Sequence, residues 1–304
     1  MKKTVFTIAL FIGLQLSLTA VAQNNEQVAL RVPNFVRPLV EKWVTEYQKT
    51  NTNVDFLIVS GKSQDNTSNT ISFTTESGIP DSLKQNVTFA RFAALAVTSK
   101  GSDAEQLIGS QSLNAKKLKN LFFIKDELDD NQKETKLEKQ LHVITGNNQQ
   151  SASRLYASHF HQEIANYKGK KIQGDDSYLN IAISRDPLAI TVNSLSNVYD
   201  ISTRKLRQSL VILPLDIDKE GRQIINEGRL DDVISLLERE DYAEIPVGHI
   251  NMSYDQTNSV LNDFVYWVLT DGVESLHQYG LLSLSKKELA VQLKRVEQLS
   301  LAQK

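Results

Sequence analysis

Residues 87–97 (VTFARFAALAV) form an apolar stretch too long for a typical strand, closed by Lys100-Gly101-Ser102. Strands in globular proteins usually end after about five or six residues. One strand that crosses from one packed body into another accounts for such a run. A chain of 304 residues is also long for a single core, and cores beyond roughly 250–300 residues divide. The expectation is two lobes joined by crossing segments.

At the N-terminus, Lys2 and Lys3 precede an apolar run from Val5 to Leu18, and Thr19-Ala20-Val21-Ala22 follows with small residues before a cleavage point. This is the pattern of a secretory signal peptide over residues 1–22, with cleavage after Ala22 and delivery to the periplasm or the exterior. Gln15 interrupts the run, and no later segment approaches ~20 apolar residues, so a membrane-embedded chain is not expected. The sequence has no Cys, which excludes a lipoprotein anchor, disulfides and thiolate chemistry. Its formal charge is −2, and losing Lys2 and Lys3 makes it more acidic. Nothing there suggests a nucleic-acid partner.

Residues 29–61 read as strand, loop, amphipathic helix and strand. Leu39, Trp43, Val44 and Tyr47 recur at the spacing of one helix face, and Pro38 suits a first turn. A loop opening onto a helix start aims unpaired N–H groups and the positive end of the helix dipole at whatever lies there. An ordinary strand-to-helix connection fits the same residues. Further on, 113–121, 230–237, 256–278 and 286–301 carry helical patterns, and 141–145, 178–183, 187–192 and 210–215 suggest strands. Ser151-Ala152-Ser153-Arg154 opens another helix, with Ser as a preferred N-cap.

No motif supports catalysis. There is no Gly-x-Ser-x-Gly elbow, no Gly-x-Gly-x-x-Gly loop and no metalloprotease pattern. His159 and His161 stand two apart, which on a helix points them to different faces and disfavours a shared metal. Asp216, Asp218, Glu220, Gly221 and Glu227 match part of an EF-hand loop, but the preceding 210–215 reads as a strand rather than an incoming helix. No cofactor, metal site or catalytic residue is expected.

Four stretches in this order resemble the phosphate-type solute-binding proteins of bacterial ABC transporters. Asn34-Phe35-Val36-Arg37-Pro38 through Trp43 is similar to the family's Thr-Phe loop and Trp-bearing helix. Val59-Ser60-Gly61-Lys62-Ser63 stands in the place of its Gly-Ser-rich loop, and 145–153 in the place of Arg-x-x-x-Ser-Gly-Thr. Phe264-Val-Tyr-Trp267 with Tyr279-Gly280-Leu281-Leu282 looks like its C-terminal helix and ending. The resemblance implies the α/β, two-lobed periplasmic binding protein-like fold, each lobe a central mixed sheet flanked by helices, with two crossover segments. Its lobes would be 23–92 plus 211–304, and 93–210.

By the same resemblance, an interlobe cleft would bind a small anion such as phosphate through Asn34, Phe35, Ser60, Gly61, Lys62, Ser63, Asn147, Ser151, Ala152 and Ser153, and an ABC-transporter permease would be the partner. Where the family carries its Arg this chain has Asn147, and Ala152-Ser153 replaces Gly-Thr. The family's first-lobe Asp falls on 70–74, where no carboxylate stands. Charge-assisted hydrogen bonds are roughly twice as strong as neutral ones. Their loss motivates a second expectation: the same fold, without phosphate binding, serving as a periplasmic protein-interaction module.

Overall fold

The computed structural model describes residues 25–59, 69–75, 84–125, 134–148 and 150–302. The leader-like N-terminal segment and Ser60–Ser63 lie outside the described residues. The first lobe opens with β1 (Glu26–Arg31), α1 (Arg37–Tyr47), β2 (Val54–Val59) and β3 (Thr70–Thr74), and β4 (Lys84–Ser99) leaves it. Then come α2 (Asp103–Ile108), α3 (Ala115–Phe122), α4 (Lys136–Gln140), β5 (His142–Gly146), α5 (Ala152–His159) and β6 (Lys170–Ile172). The second lobe continues through α6 (Ser177–Ser184), β7 (Ala189–Ser194), α7 (Leu195–Val198), β8 (Leu210–Ile212), α8 (Lys219–Glu227) and α9 (Leu230–Arg239). Finally β9 (Val247–Asp255) leads to α10 (Ser259–Thr270), a 3-10 helix (Gly272–Tyr279) and α11 (Lys286–Ala302).

The long apolar run is the spine. β4 pairs antiparallel with β9 along Lys84–Ala93, then with β7 along Ala94–Thr98 and with β8 at its end. Its two halves also pack differently. Around Phe89 a register shift inserts a residue, so both Phe89 and Ala90 turn inward; such bulges bend a strand and sharpen its twist. From Ala93 to Val97 every side chain is buried, as in strands covered on both faces. The strand order β2-β1-β3-β9-β4-β7-β5-β6 is mixed: β1 lies parallel to β2 and β3, and β5 parallel to β6 and β7.

Two apolar cores divide on this strand. Val87–Phe92 contribute to a core with α1, β9 and α10, whereas Ala93–Val97 join one built by α3, α5, β7, α8 and α9. In α1, Pro38 sits in the first turn and Leu39, Val40, Trp43 and Tyr47 are buried at helical spacing. The Trp43 indole N–H donates to the Gly272 carbonyl at 2.8 Å, and its ring meets Phe89 edge-on at 5.3 Å. Burying such a ring stabilises the lobe by roughly 2–3 kcal/mol.

Two expectations are corrected here. The return to the first lobe was read at residue 211, but Ile212, Leu213, Ile225, Val233 and Leu237 all lie in the second core, and the first core resumes only at Ile250. The strand read at 210–215 is β8, which edges the end of β4. Residues 178–183 form helix α6, where Leu179 and Ile183 are buried one turn apart while Tyr178 and Ile181 face solvent. The EF-hand-like residues form α8 instead of a ligand loop. Asp218 caps that helix by accepting from Gly221 N–H and takes the Tyr242 hydroxyl at 2.6 Å, and Asp216 accepts from Ser112 Oγ. Among the described residues no group of three metal-ligating side chains gathers, and no helix is long and apolar enough to cross a membrane.

A polar strut also links the lobes away from β4. Arg204, at φ +61°, reaches from the second lobe with its side chain 13% exposed. It donates to Asp231 and to the carbonyls of His277 and Gln278 at the end of the 3-10 helix. Beside it, His277 Nε2 lies 2.8 Å from Glu238, a hydrogen bond that holds the imidazole pKa above its usual value.

Candidate functional site

The start of α1 is open. Its N-cap, Val36, has no side-chain acceptor to offer, no acidic residue stands in the first turn, and Pro38 has no N–H to satisfy. Val36 and Arg37 N–H donate to the Pro33 carbonyl. Those of Asn34 and Phe35 have no acceptor among the described residues. Asn34 is exposed and Phe35 half-buried, its ring 5.1 Å from that of Phe92. Ser60, Gly61, Lys62 and Ser63 cannot be added, because they lie outside the described residues.

The start of α5 is closed. Ser151 caps it by accepting from Arg154 N–H and donates to the Asn148 carbonyl, so the capping role read from sequence holds. Ser153 is fully buried, its Oγ accepting from Gly146 N–H at 2.9 Å and its carbonyl from the Tyr167 hydroxyl. Asn147 is exposed and its N–H goes to the Ile172 carbonyl. Ala152 N–H, a free donor in an uncapped helix, donates to Asp176 Oδ2 at 2.8 Å. Asp176 was not among the residues expected from sequence. The apolar run after it resembled a strand, and nothing local says that an Asp before α6 would turn to another helix.

Residues next to both helix starts reach the place where the cores divide. Leu155, in the first turn of α5, packs against both cores. A Cβ on Gly248 of β9 would stand 2.6 Å from Leu155 Cδ1 and 3.2 Å from Phe92 Cε1. Phe92 in turn carries Phe35. Phe35, Phe92, Gly248 and Leu155 thus form one chain of contacts where the two cores meet, with Asn34 beside it at the start of α1 and Ser151, Ala152 and Ser153, all buried, at the start of α5. The arginines next to the two helix starts are each paired with a carboxylate: Arg37 with Glu41 at 2.9 Å and Arg154 with Glu163 at 3.3 Å.

Solved structures with the same arrangement of lobes identify the architecture. One, described as a phosphate ABC transporter substrate-binding protein of Clostridium perfringens with bound phosphate, aligns with a TM-score of 0.58 at 13% identity, covering 86% of this chain and 100% of that one. The fold is that of the phosphate-type binding proteins. An ABC-type phosphate transport receptor from Vibrio cholerae aligns at 0.55 and 9% identity, covering 84% and 100%. The regulatory domain of Synechocystis CcmR in complex with 2-PG aligns at 0.50 and 11% identity, covering 80% and 96%, so this fold also serves regulators. No family model and no curated protein matches the sequence. Phosphate-type architecture is thus retained at an identity too low to carry the ligand with it.

His159 and His161 take structural places. His159 Nε2 meets the Ala243 carbonyl at 2.8 Å, and His161 adopts φ +54° just past the end of α5.

Proposed function

We propose that the protein is an exported, non-catalytic solute-binding receptor that takes a small oxyanion-like ligand between the starts of α1 and α5. The observation that carries this reading is the open start of α1 beside Phe92, where the cores divide, with Asn34 and Phe35 N–H groups that have no acceptor among the described residues. Such donors favour negative charge without a formal cation. Ligand bound across the junction would favour the lobe-closed state by its differential affinity, and delivery to a transporter permease follows if that state is recognised.

The second reading, a protein-interaction module that has lost its small ligand, is favoured by the paired Arg37 and Arg154 and by the carboxylate on Ala152 N–H. Calorimetric titration and thermal unfolding with inorganic phosphate and sulfate, at about pH 5 and about pH 7, separate the two. A ligand held at 100 times its Kd adds about 2.7 kcal/mol, and Asn34→Asp should remove that gain by placing like charge at the open helix start. Absence of any shift with either anion at both pH values would refute the receptor reading.

A further inference from the structure

Asp176 occupies the N-cap position of α6, where an Asp ordinarily accepts from its own helix's first turn. Its side chain makes no such bond; the carboxylate turns instead to α5, 24 residues away in sequence, and accepts from Ala152 N–H. The backbone is fixed for this. Its carbonyl accepts from the buried Asn193 side chain at 2.8 Å, which is itself bonded to Asn180 and Asn197.

The second oxygen, Oδ1, is shielded from solvent and has no hydrogen-bond partner among the described residues. It lies over Gly146. A Cβ there would be 2.9 Å from Oδ1, 3.6 Å from Ser153 Oγ and 3.9 Å from Ser151 Oγ, so a glycine on β5 leaves room for the carboxylate among two serine hydroxyls and a helix start. That is the set of groups the cleft would offer an incoming oxyanion.

We propose that Asp176 is the specificity-determining residue of the cleft: its carboxylate stands in the α5 half of the oxyanion position, and an ionised oxyanion enters only when Asp176 is neutral or absent. This rests on the receptor reading above and says what its site admits. The titratable groups facing Asp176 are Asp175 beside it and the buried phenol of Tyr167; none of the groups acting on it is a cation. Burial pushes its carboxyl up to about 6, against the pull of Ala152 N–H and with a further push from Asp175. Neutralisation is therefore reached under mildly acidic conditions.

The test is calorimetric titration with sulfate, whose charge does not change over the range used, on the full chain, Asp176→Asn and Asp176→Ala from about pH 5 to about pH 8. Affinity of the unaltered chain should fall by up to about tenfold per pH unit above the carboxyl's pKa, one proton being linked to each binding event. Asp176→Asn keeps an acceptor for Ala152 N–H without the charge, and should bind equally well throughout. Asp176→Ala, which empties the position, should bind at least as tightly. If sulfate binds all three proteins with the same affinity and pH profile, Asp176 is not the gate, although the receptor reading stands. If sulfate binds none of them while circular dichroism shows each folded, both readings fall together.

Discussion

The Asp176 carboxyl has a consequence for stability that needs no ligand. Its pKa is raised from 3.8 to about 6, first by burial. A group whose folded pKa lies above its unfolded value contributes stability that is complete below the unfolded value and is lost as pH rises through the folded one, because the native state holds the proton longer. A difference of about two units is worth about 3 kcal/mol. Asp176→Asn removes this titration and preserves shape and the acceptor. The free energy of unfolding of the unaltered chain, minus that of the variant, should therefore fall by about 3 kcal/mol between about pH 3 and about pH 8. Other carboxylates cancel in the difference. Urea unfolding followed by far-UV circular dichroism is the appropriate assay, since both tryptophans, Trp43 and Trp267, pack in the first-lobe core and would miss the second. A difference that stays flat or rises with pH would refute the reasoning: the bond from Ala152 would then outweigh the burial of the charge.

Two further substitutions test the frame that holds the cleft. Arg204→Ala should cost about 2 kcal/mol, the scale of hydrogen bonds to charged groups, since it removes the charged donor to the carbonyls of His277 and Gln278 and to Asp231; an unchanged urea midpoint would show that the strut carries no load. Gly169→Ala should cost about 2–4 kcal/mol, because Gly169 has φ +71° and its Cβ would stand 2.2 Å from the Val143 carbonyl oxygen on β5. Normal stability of that variant would mean that β5 and β6 separate at little cost.

Legibility in the sequence followed the strength of local pattern. The crossing strand was readable because Val87–Val97 is an unusually long, mostly apolar run, as was α1, because one face carries Leu39, Trp43 and Tyr47 at helical spacing. The other crossing was not. β9 reads VGHINMSYD, with polar side chains between buried Ile250, Met252 and Tyr254, whereas the neighbouring β8 and its flanking residues were uniformly apolar and drew the boundary to residue 211. α6 failed for a related reason: Tyr178 and Ile181 are exposed apolar residues, and they blur the helical period into what looks like a strand. At the site, Ser151 was readable as a cap because capping is local. Asp176 was not, because its partner lies on a different helix and only tertiary structure joins them.

The two helix starts at the junction carry the same kind of donors and differ in what occupies them. α1 leaves Asn34 and Phe35 N–H without an acceptor among the described residues, while α5 gives Ala152 N–H to a carboxylate of the same chain. A free anion meeting α5 competes with one held there covalently, at an effective concentration that no dissolved ion of ordinary abundance matches. The advantage is reduced because that carboxylate is itself poorly solvated: Oδ1 has no partner among the described residues, and an unpaired buried charged oxygen costs the fold free energy. A proton satisfies it without moving the chain. Selection in this cleft is therefore expected to turn on charge state more than on shape, since the groups lining α5 already accommodate two carboxylate oxygens beside Gly146.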